Sequence, residues 1–97
     1  MLKTLPKVAY ERNAEIYKIL ANPKRLEILN LLKHRELSVK VLTKILKARK
    51  ANISQHLSLL RYARLVITRK NGQNVYYKLT DPRIVQPCRI LYQLWQS

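Results

Sequence analysis

The apolar residues in the first third of the chain recur at the three- and four-residue spacing of amphipathic helices. A first helix is predicted over residues 8–20. Asn22 offers a side-chain oxygen as an N-cap and Pro23 suits the first helical position, so a second helix should follow and end near residues 33–35. The apolar residues of these two helices are Val8, Ile16, Tyr17, Ile19, Leu20, Leu26, Ile28, Leu29, Leu31 and Leu32.

Residues 38–63 predict a short helix, a break at residues 48–50 and a longer helix. Ser38 is the expected N-cap of the short helix, and lysines lie opposite its apolar residues, which are Val41, Leu42, Ile45 and Leu46. The longer helix is expected to bury one stripe, formed by Ile53, Leu57, Leu60 and Ala63. Its opposite side contains no acid and carries Asn52, Gln55, Ser58, Leu59 and Tyr62.

Two segments of alternating pattern, residues 65–69 and 75–79, flank Asn71-Gly72. This dipeptide predicts a type I′ hairpin turn, in which both central residues need positive φ. A two-stranded wing is therefore expected over residues 65–79. A last helix is expected over residues 81–97, with a break or kink at Pro87. The order of elements predicts a mainly α winged helix-turn-helix fold with about five helices and a small β-hairpin, in one domain of residues 1–97.

Composition adds a strong charge signal. A chain of 97 residues forms one small domain, which excludes a two-domain enzyme. It has 20 Lys and Arg against 5 Asp and Glu, a formal net charge of +15. Because no acid lies between Leu37 and Thr80, the cations of that window are expected to have no acid beside them. Two explanations remain open at this point, a polyanionic partner and a merely solvated basic surface.

Four segments carry a family resemblance: LANPKRLEIL at residues 20–29, ISQHLSLL at 53–60, ARLV at 63–66 and VYYKL at 75–79. In this order and spacing the chain resembles the ArsR-type (ArsR/SmtB) winged-helix repressors. The resemblance implies a homodimeric transcriptional repressor from a bacterium or archaeon, with the first and last helices, residues 8–20 and 81–97, at the dimer interface. Two recognition helices about one DNA turn apart, roughly 34 to 36 Å, would then read an imperfect palindrome.

Within that frame a set of polar residues of the helix pair and wing is expected to contact double-stranded DNA. Asn and Gln amides can pair with adenine edges, so the candidates for base readout are Asn52, Gln55 and Ser58. Backbone phosphates are assigned to Lys40, Lys44, Lys47, Arg49, Lys50, Ser54 and Arg61. At the wing tip the candidates are Arg69, Lys70, Asn71, Gln73 and Asn74, although a turn that contacts nothing is the alternative. The residues expected at the dimer interface are Ile16, Leu20, Ile84, Cys88, Leu91, Leu94 and Trp95, because several of these would be poorly covered in a monomer.

Some positions depart from the family or have two interpretations. Arg64 replaces a glycine that the family usually has, so the turn there either adopts positive φ or ends the helix differently. His56 either packs and hydrogen-bonds or contacts DNA. Of Tyr76 and Tyr77, one should face the body and the other solvent. Cys88 is interpreted as a small buried hydrophobic residue, with modification or contact with its own copy across a dimer axis as alternatives.

The metal-binding motifs of the family are absent: the third helix lacks the cysteine pair and the last helix lacks histidines. We therefore expect no metal and no cofactor. The sequence contains no acid pair, no nucleophile-base set and no glycine-rich phosphate loop, so none of these features indicates an enzyme. The favoured function is a dimeric, sequence-specific DNA-binding regulator, a repressor in the cytoplasm that associates with the nucleoid and not with membranes. The alternative is a non-specific DNA-compacting or RNA-binding protein with the same fold.

Overall fold

The computed structural model describes residues 4–96 of the chain. Within that range the elements, in order, are α1 (Lys7–Leu20), α2 (Pro23–Leu31), β1 (Leu37–Ser38), α3 (Val39–Leu46), α4 (Lys50–Tyr62), β2 (Val66–Asn71), β3 (Asn74–Leu79), a 3₁₀-helix (Pro82–Val85) and α5 (Gln86–Gln96). The predicted winged helix-turn-helix with five helices is confirmed.

Side-chain caps start α2 and α3 where the sequence predicts. The Asn22 side chain accepts a hydrogen bond from the Arg25 amide at 3.1 Å, and Ser38 Oγ accepts one from the Val41 amide at 3.3 Å. Asp81 starts the 3₁₀-helix by accepting from the Arg83 amide at 2.9 Å. Hydrogen bonds from the Arg83 side chain and backbone lower the pKa of Asp81 to about 2. Each cap satisfies an amide that the first helical turn leaves without a partner.

The sheet has three strands rather than the two that were predicted. Its order is β1-β3-β2 and both pairings are antiparallel. Leu37 pairs with Tyr77 and Ser38 with Tyr76, so a two-residue strand lies beside the wing immediately before α3. Two residues are too few to display an alternating pattern, which is why the sequence did not reveal this strand.

The hairpin turn lies one residue later than predicted, and its type is different. Asn71 and Asn74 close the ladder as a pair, which leaves Gly72 and Gln73 as the central residues. Gly72 has φ +65°, and among described non-glycine residues only Lys47 and Arg64 have positive φ. Positive φ at the first central residue alone is the pattern of a type II′ turn. The predicted type I′ turn centred on Asn71-Gly72 is therefore wrong.

The hydrophobic core lies between α2, α3, α4 and the sheet. Its buried members are Ile28, Leu29, Leu32, Leu37, Leu42, Ile53, Leu57, Leu60, Ala63, Leu65, Val66, Leu79 and Val85. The stripe predicted for α4 is confirmed. In α3 the core side runs through Val39, Leu42 and Leu46, while Val41 and Ile45 remain 38% and 41% exposed. The sequence places these two on one side of α3 with Leu42 and Leu46, and the helical rotation puts them at the flank of the buried side.

Pro87 lies in the first turn of α5, whereas α5 was expected to continue from residue 81. The chain is 3₁₀-helical up to Val85 and α-helical from Gln86. Proline is tolerated in a first turn because the amide it lacks would have no partner within the helix. The expected break therefore occurs immediately before Pro87.

Candidate nucleic-acid interface

Helix α4 presents a polar side to solvent. Ile53, Leu57 and Leu60 are fully buried beneath it. Asn52, Gln55 and Ser58 are exposed on the other side, and their side chains have no hydrogen-bond partner among residues 4–96. Two larger side chains lie on the same side, Leu59 at 40% and Tyr62 at 82% exposure. This surface offers amide and hydroxyl groups whose donors and acceptors are available to a ligand.

The helix pair α3–α4 also carries exposed cations. Lys47 ends α3 in the left-handed conformation with φ +50°, which turns the chain sharply toward α4. The predicted phosphate-binding cations are all exposed; they are Lys40, Lys44, Lys47, Arg49, Lys50 and Arg61. Ser54 is half-buried. The predicted cations of the helix pair are therefore accessible from solvent.

A hydrogen-bonded arginine holds α4 against the first two helices. Arg25 donates from Nε to the Ile19 carbonyl at 2.6 Å and from Nη1 to His56 Nδ1 at 3.3 Å. Burial, followed by the positive charges of Arg25 and Lys24, lowers the pKa of His56. A guanidinium has no acceptor, so Nδ1 must be the unprotonated, accepting nitrogen. Of the two interpretations of His56, the structure supports the hydrogen-bonded one.

The turn from α4 into the wing is a Schellman motif that contains an arginine. Leu65 donates its amide to the Leu60 carbonyl and Arg64 donates its amide to the Arg61 carbonyl, both at 2.9 Å. Arg64 has φ +62°, so the expectation of positive φ at this non-glycine residue is confirmed. Thr80 adds a hydrogen bond from its hydroxyl to the Arg64 carbonyl at 2.8 Å. These contacts hold a conformation that L-residues adopt at a cost.

The wing tip is exposed, but one of its candidate DNA-binding residues already forms an ion pair within the chain. Lys70, Asn71, Gln73 and Asn74 project around the Gly72 turn. Arg69 instead forms an ion pair with Glu36, with Nη2 2.8 Å from Oε2. The expectation that the cations of this window have no acid nearby is thus wrong for Arg69. Glu36 lies just outside the acid-free window, and the pairing of β1 with β3 brings it to the wing.

The two tyrosines of β3 face opposite sides of the sheet, as predicted. Tyr77 packs against the core. Tyr76 lies on the outer side, where the Arg69 guanidinium carbon is 5.3 Å from its ring centroid. The outer surface of the wing therefore carries a cation–π contact as well as the ion pair.

A second surface, formed by α1 and α5, is apolar. Neither helix has a buried residue, and between them lies an apolar groove of about 260 Å³ lined by residues that include Tyr17, Leu20, Cys88 and Leu91. Leu91, Leu94 and Trp95 are 60%, 70% and 72% exposed. Among the other predicted interface residues, Ile16, Leu20 and Ile84 are half-buried.

Sequence reasoning missed three members of this apolar surface and misplaced one residue. Tyr17, Ile90 and Tyr92 are 64%, 55% and 51% exposed. For Ile90 the available signal was its i, i+4 spacing to Leu94 along α5. Cys88 is exposed in the single chain, so its interpretation as a buried hydrophobic residue is wrong for the monomer fold.

The described residues contain no cluster of three or more His, Cys, Asp or Glu side chains placed to hold a metal ion. Nor does any helix within residues 4–96 have the length and apolar character needed to cross a membrane.

Comparison with known proteins identifies the family. The model for "Bacterial regulatory protein, arsR family" matches residues 22–68, from the cap of α2 to the middle of β2. The transcriptional activator HlyU of Vibrio cholerae is 39% identical over 80 residues, which cover 82% of this chain and 74% of HlyU. The transcriptional repressor PagR of Bacillus anthracis is 35% identical over 78 residues, which cover 79% of this chain and 78% of PagR.

Solved structures agree with this result. The structure of HlyU from Vibrio cholerae superposes with a TM-score of 0.81 at 34% identity and covers 95% of this chain and all of that one. The homodimeric winged helix-turn-helix domain Mb0332 of Mycobacterium bovis superposes with a TM-score of 0.84, covers all of this chain and 94% of that one, and at 24% identity supports the fold alone. The chain belongs to the ArsR family of bacterial regulatory proteins and is a winged helix-turn-helix DNA-binding regulator of transcription.

Proposed function

We propose that two copies of this chain bind an imperfect palindrome, each placing α4 in a major groove and its wing tip on the adjacent minor groove. The observation that supports this most directly is the set of three exposed polar side chains on α4, a helix that with α3 carries six exposed cations and no acid. A helix that was merely soluble would mix acids and bases on that side. Polar groups without internal partners are suited to hydrogen bonding with base edges.

In this arrangement the residues divide by role. Asn52, Gln55 and Ser58 read bases. The six exposed cations of the helix pair and half-buried Ser54 hold phosphates and set the register. Lys70, Asn71, Gln73 and Asn74 meet the minor groove and its phosphates. Because binding releases counterions, affinity for any duplex falls steeply as salt rises, whereas discrimination depends on the three base-reading residues.

The dimer forms through the apolar surface of α1 and α5. Ile16, Leu20, Ile84, Cys88, Leu91, Leu94 and Trp95 lie in the contact, joined by Tyr17, Ile90 and Tyr92. Burial of this surface removes the large exposed apolar side chains from water. A two-fold dimer carries a formal charge near +30 and spaces its recognition helices for successive major grooves, about 34 to 36 Å apart.

The regulator acts in the cytoplasm on nucleoid DNA, as a repressor that occludes its operator, and it catalyses no reaction. Relatives include both an activator and a repressor, HlyU and PagR. Occlusion needs only DNA binding by one small domain, which is what this chain provides. No metal, cofactor or membrane enters this mechanism.

Selection of bound duplexes from a random pool tests the proposal, using purified protein under reducing conditions without added metal. We expect a palindrome with half-sites about one turn apart, bound roughly 10³-fold or more tightly than random sequence. Strong binding with no recovered motif and a ratio near unity would instead indicate a DNA-compacting protein. The base-reading roles would then be withdrawn.

A further inference from the structure

The Glu36–Arg69 ion pair joins two separate parts of the DNA-binding domain. Arg69 Nε lies 2.9 Å from both carboxylate oxygens of Glu36, and Nη2 lies 2.8 Å from Oε2. The other ion pairs found within residues 4–96 link side chains two or three positions apart. This pair spans 33 residues and engages two guanidinium nitrogens, which gives it a defined geometry as well as charge attraction.

The sheet register explains how the contact forms. Arg69 lies opposite Tyr76, and Tyr76 lies opposite Ser38 on its other edge. The Arg69 side chain therefore passes from the outer strand β2 over the Tyr76 ring on the middle strand and reaches Glu36, two residues before Ser38. Since Ser38 also caps α3, the pair connects the far strand of the wing to the start of the helix-turn-helix.

Electrostatics favours a persistent contact. The hydrogen bond from Arg69, with added attraction from Arg69 and Lys78, lowers the pKa of Glu36. The carboxylate is thus ionised at neutral pH. With Nε and Nη2 occupied, a DNA phosphate would have to displace this carboxylate to be held by the same donors.

We propose that Glu36 and Arg69 act as a wing clamp, which positions the wing tip relative to α4, and that Arg69 does not bind a DNA phosphate. This replaces the sequence-based assignment of Arg69 and rests on the DNA-binding mode proposed above. By fixing the angle of the wing, the clamp sets the distance between the major-groove contacts of α4 and the minor-groove contacts of the tip. It therefore contributes to specificity without touching a base.

Three glutamine variants and one lysine variant test the clamp on the selected operator and on random duplex. Arg69→Gln should leave the salt dependence of binding unchanged and lower the ratio of operator to random affinity about two- to fivefold, a range set by what exposed ion pairs contribute. Arg69→Lys should lower that ratio similarly, because an ammonium cannot repeat the two-nitrogen contact. Glu36→Gln should release the Arg69 cation and steepen the salt slope by about one.

The matched control is Lys70→Gln, which removes an unpaired cation from the neighbouring position and should flatten the salt slope by about one. Arg69→Gln flattening the slope as Lys70→Gln does, or Arg69→Lys restoring full discrimination, would overturn the clamp, since both results indicate a phosphate contact. An unchanged ratio in both Arg69 variants would overturn it as well.

Hydrogen exchange in the DNA-free protein keeps this test separate from the proposed DNA-binding mode. Amides of β1 and the facing part of β3 should exchange several-fold faster in Glu36→Gln and Arg69→Gln and be unchanged in Lys70→Gln. Unchanged exchange in all three variants would overturn the clamp. Should Lys70→Gln leave DNA binding unaffected while the exchange result is as expected, the wing-tip contact fails and the clamp stands.

Discussion

Arg25 Nη1 lies 3.3 Å from His56 Nδ1, across 31 residues of sequence, and the same guanidinium holds the Ile19 carbonyl at 2.6 Å. One side chain thus ties the end of α1 and the start of α2 to the middle of α4. The contact requires an unprotonated Nδ1, because a protonated imidazole has no acceptor for the guanidinium. This contact between α2 and α4 is therefore coupled to the protonation state of His56.

Stability should decrease as pH falls through the titration of His56. Its pKa is lowered in the folded protein, so the unfolded chain binds the proton first and folding is opposed. The contribution of neutral His56 to the free energy of unfolding is complete at a pH above the pKa of histidine in the unfolded chain, about 6.5. It is lost as the pH falls from there through the lower pKa of His56 in the folded protein. Thermal unfolding of wild type and His56→Gln between pH 8 and pH 5 checks this. The variant should lose less stability over that interval, whereas His34→Gln, at an exposed position, should follow wild type.

Arg64→Gly should stabilise the fold. Arg64 occupies the left-handed region at φ +62°, where a β-carbon costs roughly 1–2 kcal/mol and glycine costs little. Glycine is more flexible in the unfolded chain, so its larger loss of conformational entropy on folding offsets part of this benefit. The free energy of unfolding is therefore expected to rise by about 0.5–1 kcal/mol. Urea denaturation measures it. The control, Arg61→Gly in the last turn of α4, should destabilise by about 1 kcal/mol, and a loss of stability in Arg64→Gly would contradict the strain argument.

Leu91→Asp should convert the dimer to a monomer at micromolar concentration. Leu91 is 60% exposed in the single chain and lines the apolar groove between α1 and α5, so a carboxylate there would be buried without a partner in the dimer. Light scattering coupled to gel filtration gives the mass. Ile45→Asp introduces the same charge at an exposed apolar position of α3 and should leave the dimer intact. A dimeric Leu91→Asp protein would place the interface elsewhere.

The sequence predicted elements whose signals are local. The Asn22 and Ser38 caps and the α4 stripe were predicted, because a capping side chain acts within three residues and a buried helix side repeats along one element. Features that depend on long-range register were not predicted. The β1 strand exists because it pairs with β3, more than 35 residues away along the chain. The hairpin turn was misplaced for a local reason, because Asn71 and Asn74 pair and leave Gly72-Gln73, rather than Asn71-Gly72, at its centre.

In the candidate site too, the local features were predicted from the sequence and the long-range ones were not. The polar side of α4 followed from helical spacing, since residues opposite a buried stripe must face solvent. The ion pair between Arg69 and Glu36 could not be predicted, because the two residues are 33 positions apart and are brought together only by the order of the strands. Likewise, the exposure of Val41 and Ile45 depends on which side of α3 meets the core, and an eight-residue helix with five apolar residues leaves that ambiguous.

Lys50→Ala should weaken binding to every duplex to a similar degree. Lys50 is exposed at the first position of α4 and is assigned to a phosphate, so its loss removes one released counterion and no base contact. Fluorescence anisotropy across a salt series should show a slope flatter by about one, on operator and random DNA alike. Lys18→Ala removes an exposed cation from α1, which is not part of the helix pair, and should leave the slope unchanged. If Lys50→Ala also leaves it unchanged, Lys50 is not a phosphate ligand.

Gln55→Ala should separate base readout from general affinity. The Gln55 side chain is exposed on the polar side of α4 and has no internal partner within the described chain, so its removal leaves folding intact and removes a hydrogen-bonding group from the DNA contact. A lost bidentate contact with an adenine edge costs about 1–3 kcal/mol on the operator, with little change on random duplex. Competition titrations with both duplexes measure the two affinities. Equal losses on both would move Gln55 to the phosphate-binding group. Operators substituted at single base pairs provide the complementary test. The affinity of Gln55→Ala should not change when the base pair that Gln55 reads is substituted, whereas substitution of the other contacted base pairs should still weaken its binding.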